Sequence, residues 1–385
     1  MGSDAKIYCL ATNPCHLWDQ ARGLSYLGRQ VIFVSGYPRN RLAGDAHGCI
    51  IHSISGPTLL TYGITKILGR SGSIARRLYN WQDRLFDRAT ARYLAEEMSD
   101  DESIVIGLPG QCLESFRVAK RWNSRCFLSH ASGPIELQNR AIREEYERMG
   151  LEHTSILTSI HSQDRLEKEW ALADIHLVAS SQVLEQFLSL GFADDSLSLA
   201  PYGVDKNVFY KKERKSKPGD DFIVLFAGQT DIRKGIHWLM DAWSQVCNRV
   251  DWKLKIVGPS SPWLSERLER GENLKGVEYL GSMSQAKLAD NMRSADVLVL
   301  PSIEDAFGLV VAQSLQCGTP CIVSDRVGAK DLLDSRARGR VVAYGDSRAI
   351  ASALEDIERE RPIVSDEFGY QEAAKTLMAR LNVRK

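Results

Sequence analysis

The segment from Ala295 to Pro320 reads ADVLVLPSIEDAFGLVVAQSLQCGTP and is the part of the sequence that decides the fold. Within it, Val297–Pro301 is a continuous apolar run of strand length, which is typical of a strand buried on both faces. A tight loop follows, and helical spacing of apolar residues begins near Gly308. A buried strand, a loop and a helix in this order predict a doubly wound α/β domain.

The loop inside this segment offers groups that suit an anionic, hydroxyl-rich ligand. The N–H groups of Gly308, Leu309 and Val310 would lack partners within the helix, so they favour a phosphate or a developing negative charge. Asp305 and Gln313 could both face a cleft and accept hydrogen bonds from sugar hydroxyls. An ordinary strand–helix unit with a solvent-facing acid fits the spacing equally well, and the spacing alone leaves both interpretations open.

Short β-rich runs alternate with longer amphipathic runs along the whole chain, which predicts parallel strands with helical crossovers. The charged residues 211–221, which include Pro-Gly, interrupt this alternation and indicate an exposed linker. We therefore expect two Rossmann-like domains, residues 1–210 and 222–365, that face one cleft at the carboxyl ends of their strands. A last helix within residues 366–385 is expected to pack back on the first domain. The expected strands are Lys6–Ala11, Val31–Ser35, Ile104–Gly107, Cys126–Ser129, Ile175–Ala179, Leu197–Ala200, Phe222–Ala227, Lys253–Val257, Val277–Leu280, Val297–Pro301 and Pro320–Val323.

The composition limits the class of protein. A length of 385 residues suits two domains, and 49 Lys+Arg against 49 Asp+Glu leave no basic excess of the kind that nucleic-acid binders show. The eight cysteines include no Cys-x-x-Cys pair, so they indicate buried, reduced thiols in a cytoplasmic protein. No apolar run approaches the roughly 18 residues of a membrane span, and no signal peptide is visible.

The segment around Asp305, Phe307 and Gly308 resembles the signature of the retaining glycosyltransferases of family 4, the group 1 glycosyltransferases, which have the GT-B fold. That signature has an acidic residue, seven others and a second acid, with Phe-Gly inside and a small-x-Gly-x-Pro tail. The register places the first acid at Asp305, which the resemblance assigns to the hydroxyls of the donor sugar. Gln313 stands at the second position, where it keeps an acceptor for the ribose but drops the charge.

Two further blocks resemble the same family. Residues 173–181, Gly191 and residues 201–209 resemble the end of its first domain, which binds the acceptor, and residues 226–235 resemble the start of its second, which binds the donor. Lys234 stands where the family places a lysine on the diphosphate, and a cation there stabilises charge as the glycosidic bond breaks. Gln229 replaces the family's usual arginine, and Arg233 is expected to restore that charge. The donor site implied by the resemblance comprises Gly228, Gln229, Arg233, Lys234, Asp305, Phe307, Gly308, Leu309, Val310 and Gln313.

His130 is a further catalytic candidate, beside Lys234 and Asp305. It follows an apolar strand, and a histidine at the carboxyl end of a strand in this fold points into the cleft. Several relatives place a histidine that binds the donor sugar on the equivalent strand; a structural loop histidine is the alternative. The loop from Thr12 to His16 lacks the Gly-Gly that family members often carry, so phosphate contacts there stay open and His16 is a weaker candidate.

The chemistry implied by the resemblance needs no metal. No Asp-x-Asp motif and no cluster with metal-ligand spacing occurs, so we expect no metal and no cofactor. The resemblance implies transfer of a sugar from a nucleotide-sugar, a UDP-sugar by preference or a GDP-sugar, to a sugar or lipid-linked acceptor in polysaccharide or glycolipid biosynthesis. Two alternatives stay open: a nucleotide-sugar epimerase of related fold, and a noncatalytic glycosyltransferase-like partner protein.

A basic, amphipathic stretch runs from Leu59 to Arg92, and the pattern from Thr61 to Glu97 predicts one long helix. Such a helix can lie on an anionic lipid surface, so we expect a peripheral contact with the inner face of the cell membrane. A helix whose apolar stripe packs on the first domain is the alternative. The basic residues of this stretch are Lys66, Arg70, Arg76, Arg77, Arg84, Arg88 and Arg92.

Overall fold

Two parallel β-sheets, each covered by helices, form the structure, and this arrangement agrees with the predicted α/β alternation. Most of the expected linker at 211–221 lies outside the described residues. The computed structural model describes residues 5–13, 15–42, 46–68, 72–99, 103–151, 162–212, 221–249, 251–270, 275–365 and 367–381.

The first sheet has seven parallel strands in the order β3-β2-β1-β4-β5-β6-β7. Strands β1, β2 and β4 are buried along their whole length because helices cover both faces of the sheet. The strand order reverses between β1 and β4, and ligands of such sheets bind at the carboxyl ends next to this point. The strands are β1 (Ile7–Ala11), β2 (Val31–Ser35), β3 (Ile50–Ser53), β4 (Ile104–Gly107), β5 (Arg125–His130), β6 (Ile175–Val178) and β7 (Leu197–Leu199). The helices are α1 (His16–Tyr26), α2 (Gly56–Leu68), α3 (Gly72–Glu97), α4 (Leu113–Arg121), α5 (Ile135–Arg148), α6 (Gln163–Leu172) and α7 (Ser181–Ser189).

The second sheet has six parallel strands in the order β10-β9-β8-β11-β12-β13, and its strand order reverses between β8 and β11. Both carboxyl edges carry the loops that the sequence analysis singled out. The strands are β8 (Phe222–Ala227), β9 (Trp252–Val257), β10 (Val277–Gly281), β11 (Val297–Leu300), β12 (Cys321–Ser324) and β13 (Gly339–Val342). The helices are α8 (Ile236–Val246), α9 (Pro262–Glu269), α10 (Gln285–Ser294), α11 (Leu309–Gln316), α12 (Ser347–Glu360) and α13 (Tyr370–Leu381).

Every predicted strand is present with ends within one residue of the prediction, but β3, β13 and α6 were not predicted. Strands β3 and β13 are edge strands with partly exposed residues, so they lack the continuous apolar run of an interior strand. The single helix predicted from Thr61 to Glu97 is wrong. Helices α2 and α3 occupy this stretch, and the sequence between them, residues 69–71, includes Gly69 and Ser71, which are weaker helix formers than Ala.

The last helix, α13, lies against α1 of the first domain. Leu377 and Leu381 are fully buried in the apolar core of the first sheet. Gly23 on α1 permits this close contact, because a Cβ there would come within 2.6 Å of Ala374 Cβ. The guanidinium of Arg125 donates to the carbonyl of Leu381 at 2.7 Å. The chain therefore returns from the second domain to the first.

Candidate functional site

The loop between β11 and α11 lies at the carboxyl edge of the second sheet, and its shape depends on Gly308. Gly308 has φ +83°, and a Cβ there would come within 2.9 Å of Val327 Cγ1 and 3.1 Å of Leu300 Cδ2. A side chain at this position would therefore clash and also strain the backbone. Helix α11 begins directly afterwards, so the backbone N–H groups of Leu309 and Val310 form the positive end of its dipole.

Lys234 and Asp305, which the sequence analysis assigned to the two ends of a donor, meet in the structure. Lys234 Nζ lies 2.5 Å from Asp305 Oδ2, and the two side chains are 15% and 13% exposed. Lys234 ends a short 3₁₀ turn, and its N–H donates to Asp231 Oδ1 at 3.0 Å. Gly235 follows with φ +71°, and a Cβ there would lie 1.9 Å from the carbonyl oxygen of Pro301. The turn is thus held against the end of β11.

A second pair of opposite charges lies beside the first. Arg233 NH1 lies 3.6 Å from Glu304 Oε2, and Glu304 is 4% exposed. Burial is the main cause of the raised pKa of Glu304; Asp305 adds to it, while Arg233 and Lys234 act against it. The backbone also joins the two loops, because the N–H of Ile303 donates to the carbonyl of Arg233 at 3.0 Å. Sequence reasoning missed Glu304, whose only signal was its place next to Asp305.

Gly228 and Gln229 follow β8 at the same edge of the sheet. A Cβ on Gly228 would meet no atom within 4 Å, so its backbone borders open space. A Cβ on Gly258, which follows β9, would lie 1.7 Å from the carbonyl oxygen of Gly228, so the two loops are in close contact. Gln229 is exposed. Open space beside a backbone of this kind allows a phosphate to approach closely.

Phe307 and Gln313 are both buried in the structure. Phe307 is 3% exposed, and its ring lies 5.0 Å from the ring of Tyr202 in an edge-on arrangement. It therefore contributes packing between the two domains. Gln313 is 7% exposed on α11, five residues beyond Gly308. Its contact with a ribose stays a prediction.

His130 ends β5, but its imidazole is engaged with other residues of the first domain. It is 5% exposed, its Nε2 lies 3.0 Å from His176 Nδ1, and its ring lies 4.4 Å from that of Phe187. Burial and the neighbouring His176 hold the pKa of His130 well below its usual range, so the ring is neutral. This placement favours the structural alternative, and a contact between His130 and a donor sugar stays a prediction.

His16 and Tyr202 form an aromatic contact at the edge of the first sheet, and Tyr202 was not among the candidates. Their rings stack at 4.2 Å, and His16 Nε2 lies 3.0 Å from Ser129 Oγ. Tyr202 OH donates to the carbonyl of His130 at 3.1 Å. Burial lowers the pKa of His16 to about 4. Because Tyr202 also meets Phe307 of the second domain, these rings form a neutral bridge across the cleft.

A cavity of about 240 Å³ lies between the domains, next to the loop that carries Asp305. Helices α5 and α7 of the first domain form one wall, and the loops after β11 and β12 form the other. The lining residues are Leu137, Ala141, Gln182, Gln186, Ile303, Glu304, Asp325 and Arg326.

The described ranges, which leave out the gaps given above, lack two kinds of feature. They contain no group of three or more His, Cys, Asp or Glu side chains that could hold a metal ion. They also contain no helix with the length and apolar character needed to cross a bilayer.

The second domain matches a known family. Residues 221–359 match the family model described as "Glycosyl transferases group 1". A D-inositol 3-phosphate glycosyltransferase of Xylanimonas cellulosilytica is 28% identical over 241 residues, which cover 55% of this chain and 57% of that protein. A phosphatidyl-myo-inositol mannosyltransferase of Mycobacterium leprae is 35% identical over 150 residues, 37% of this chain and 40% of that protein. The chain thus spans about half the length of the curated relatives it matches.

The structure is similar to solved structures along almost its whole length. The Anabaena protein HepE in complex with UDP aligns with a TM-score of 0.64 and 15% identity, over 98% of this chain and 99% of that chain. At this identity the likeness concerns the fold alone. It confirms the predicted GT-B architecture of two Rossmann-like domains around a cleft.

Proposed function

We propose that this chain, a member of the group 1 glycosyltransferases through its second domain, transfers a sugar from a nucleotide-sugar to a hydroxyl of an acceptor. The transfer retains the configuration at the anomeric carbon and uses no metal. The donor binds the second domain, and the acceptor binds the first. The observation that carries the proposal is the Lys234–Asp305 pair beside the N-terminus of α11.

The pair joins the two recognition tasks that a nucleotide-sugar requires. An ammonium group has three N–H donors, so Lys234 can hold Asp305 and still donate to a diphosphate oxygen. Asp305 keeps acceptor sites for sugar hydroxyls. Arg233 and the N-terminus of α11 add positive charge close by, and preorganised charge of this kind stabilises a departing diphosphate without a metal.

The proposed mechanism is a front-face substitution. The acceptor hydroxyl attacks the anomeric carbon from the side on which the diphosphate leaves, so the new bond has the same configuration as the broken one. A phosphate oxygen of the leaving group takes the proton of the hydroxyl. The bond from the anomeric carbon to the diphosphate oxygen breaks, and its electron pair stays with the diphosphate. Lys234 and Arg233 stabilise that charge, and no protein nucleophile is needed.

A panel of nucleotides tests the donor assignment. UDP, GDP, ADP and dTDP, each alone and with a sugar attached, are mixed with the protein and its melting temperature is measured. We expect UDP-sugars to give the largest rise, because a protein of the same fold binds UDP, with GDP-sugars as second choice. Product analysis with and without an acceptor then separates transfer from epimerisation. A protein that binds none of these nucleotides would contradict the proposed function.

Metal independence is tested with the donor that this panel selects. Turnover should be the same in excess EDTA as in added magnesium. The reason is that Lys234, Arg233 and the positive end of the α11 dipole stabilise the charge that a metal would otherwise stabilise. Loss of turnover in EDTA that magnesium restores would overturn this part of the proposal.

We also propose that the acceptor is lipid-linked and that α2 and α3 dock on an anionic membrane. Four apolar residues of α2 are each more than half exposed: Leu59, Leu60, Tyr62 and Ile67. Helix α3, in contrast, buries Phe86 and Leu94 in the first domain. Exposed Lys66, Arg76 and Arg77 lie on the same two helices. An exposed apolar face flanked by cations suits anionic lipid. A relative named for phosphatidyl-myo-inositol supports a lipid acceptor.

Co-sedimentation with liposomes tests this docking. Wild type should bind phosphatidylserine-containing vesicles, fail to bind phosphatidylcholine vesicles, and dissociate in high salt because salt screens the attraction. The variant Arg76→Glu/Arg77→Glu/Arg84→Glu should not bind. Its matched control is Lys275→Glu/Lys287→Glu/Arg348→Glu, which makes the same change of charge on exposed residues of the second domain. Absence of binding by wild type would remove the membrane contact from the proposal.

A further inference from the structure

Glu145 of α5 connects the two domains through a buried carboxylate. Its side chain is fully buried, and His237 Nε2 of the second domain lies 2.6 Å from its Oε1. Tyr344 OH, also of the second domain, donates to its other oxygen, Oε2. Arg148, one turn further along α5, donates through Nε to Oε2 at 3.1 Å. One carboxylate of the first domain thus accepts hydrogen bonds from two residues of the second.

The carboxylate stays charged at this interface. Burial alone would raise the pKa of Glu145, but the hydrogen bonds from His237, Arg148 and Tyr344 outweigh burial and lower the pKa to about 2. A charged carboxylate that stays buried without such partners is strongly unfavourable, so water must reach Glu145 when the domains separate. The hydrogen bonds of Glu145 with His237 and Tyr344 therefore exist only while the two domains are in contact.

One path from Glu145 leads to Lys234. His237 lies in the first turn of α8, three residues after Lys234, and Gly235 between them has φ +71° and packs directly on the carbonyl of Pro301. Helix α5 also contacts the short turn that carries Arg233 and Lys234. A hydrogen bond to His237 therefore holds the segment immediately behind the diphosphate-binding cations.

A second path leads to Asp305. The guanidinium of Arg326 stacks on the ring of Tyr344 at 3.8 Å. The carbonyl of Arg326 accepts a hydrogen bond from the N–H of Asp305 at 3.1 Å, and another from Gln182 Nε2 of the first domain at 3.1 Å. Glu145 is thereby connected to both members of the Lys234–Asp305 pair, through two separate elements of the second domain.

We infer that Glu145 is a positioning residue for sugar transfer. Its carboxylate holds α5 against His237 and Tyr344, and this contact fixes the positions of Lys234 and Asp305 when the domains close. The inference rests on the proposed function of that pair. In this role Glu145 acts through His237 and Tyr344, not through a contact of its own with donor or acceptor. It differs from the contacts of Ser181 with Asp331 at 2.7 Å, which join the domains through exposed hydrogen bonds.

The test compares Glu145→Gln with Glu144→Gln, an exposed neighbour on the same helix that makes the same change of charge. Four quantities are measured on each folded protein: the radius of gyration by small-angle X-ray scattering, the affinity for the nucleoside diphosphate selected by the panel, and kcat and KM for the corresponding nucleotide-sugar. Glu144→Gln should match wild type. Glu145→Gln should have a larger radius of gyration and bind the nucleotide about tenfold more weakly, because a smaller fraction of molecules is closed.

A second variant, Tyr344→Phe, guards against a folding defect. It removes one hydrogen-bond donor and leaves Glu145 with His237 and Arg148. The increase in radius of gyration and the loss of nucleotide affinity should therefore be smaller than in Glu145→Gln. If the wild type binds a nucleoside diphosphate and folded Glu145→Gln binds it equally well with unchanged kcat, the positioning role is wrong and the proposed function stands. If the wild type binds no nucleoside diphosphate, the proposed function fails and the positioning role fails with it.

Discussion

The two edges of the cleft differ in charge. The second-domain edge concentrates four ionised or ionisable side chains in two touching loops, Arg233 and Lys234 opposite Glu304 and Asp305. The first-domain edge presents rings that burial keeps neutral, with the pKa of His16 lowered to about 4. A departing diphosphate needs compensating charge, whereas sugar hydroxyls and rings need hydrogen bonds and flat apolar surface. The difference supports the proposal that the ionic part of the reaction takes place at the second-domain edge.

The largest expected effect removes charge from the second-domain edge. Lys234→Ala should lower kcat by roughly 100-fold or more, as loss of one preorganised charge contact does, and it also leaves Asp305 without its partner. The measurement is turnover at saturating donor. Lys287→Ala, an exposed lysine of the same domain, should keep wild-type kcat. A near-normal rate for Lys234→Ala would mean that other residues stabilise the diphosphate. It would contradict the difference in function that we draw between the charged and the neutral edge.

A smaller effect separates the sugar from the nucleotide. Asp305→Asn keeps the size of the side chain but loses the ion pair, so it should lower kcat more than it weakens binding of the free nucleoside diphosphate. Gln313→Ala should weaken binding of the free nucleotide as well, because we expect Gln313 at the ribose. Calorimetry of the free nucleotide together with initial rates measures both. Equal nucleotide affinity in wild type and both variants would refute this division.

Controls sharpen this prediction. Asp241→Asn changes an exposed aspartate of α8 in the same domain and should leave rate and affinity unchanged. Gln313→Glu introduces the charge that the family usually carries at this position. Tighter nucleotide binding by Gln313→Glu would place residue 313 at the ribose diol, and an unchanged affinity would place it away from the ligand.

The sequence predicted the second-domain edge better than the contacts that hold the domains together, for a physical reason. Asp305, Gly308 and Gln313 belong to one strand–loop–helix unit, so local spacing determines their relative positions. Lys234 was placed by resemblance, because its block follows the first strand of the same domain. By contrast, Glu145 lies 92 residues from His237 and 199 from Tyr344 along the chain. No local pattern encodes such a contact, and Glu145 reads as one of several acids on a charged helix.

At the first-domain edge too, the sequence did not predict contacts between residues that are distant along the chain. The end of β5 was predicted to within one residue: His130 was expected just after the strand and is its last residue. Its orientation depends on Phe187 and on His176 of the neighbouring strand, which tertiary packing brings to the same place. Tyr202 was overlooked because a tyrosine in a loop carries no distinct signal; its role is visible only from the rings of His16 and Phe307 on either side.

The smallest expected effect concerns the neutral edge and appears in stability. His176 has a pKa lowered to about 4 by burial, against about 6.5 in an unfolded chain. Between these values the unfolded chain binds more protons than the folded one, so this histidine stabilises the fold less as pH falls from 6.5 toward 4. Its contribution to the free energy of unfolding should change by at most about 1.4 kcal/mol per pH unit.

Other groups act in the opposite direction, so the test is a difference between two proteins. Burial raises the pKa of Asp83 and of Glu169 to about 7, and these carboxyl groups favour the fold as pH falls. Urea unfolding of wild type and His176→Gln at pH 7.5, 6.5 and 5.5 cancels these shared contributions. The free energy of unfolding of wild type should decline relative to that of the variant from pH 6.5 to 5.5. Above pH 7 the two free energies should change with pH in the same way. Parallel curves throughout would mean that His176 does not stay neutral in the fold, and the first-domain edge would then carry charge of its own.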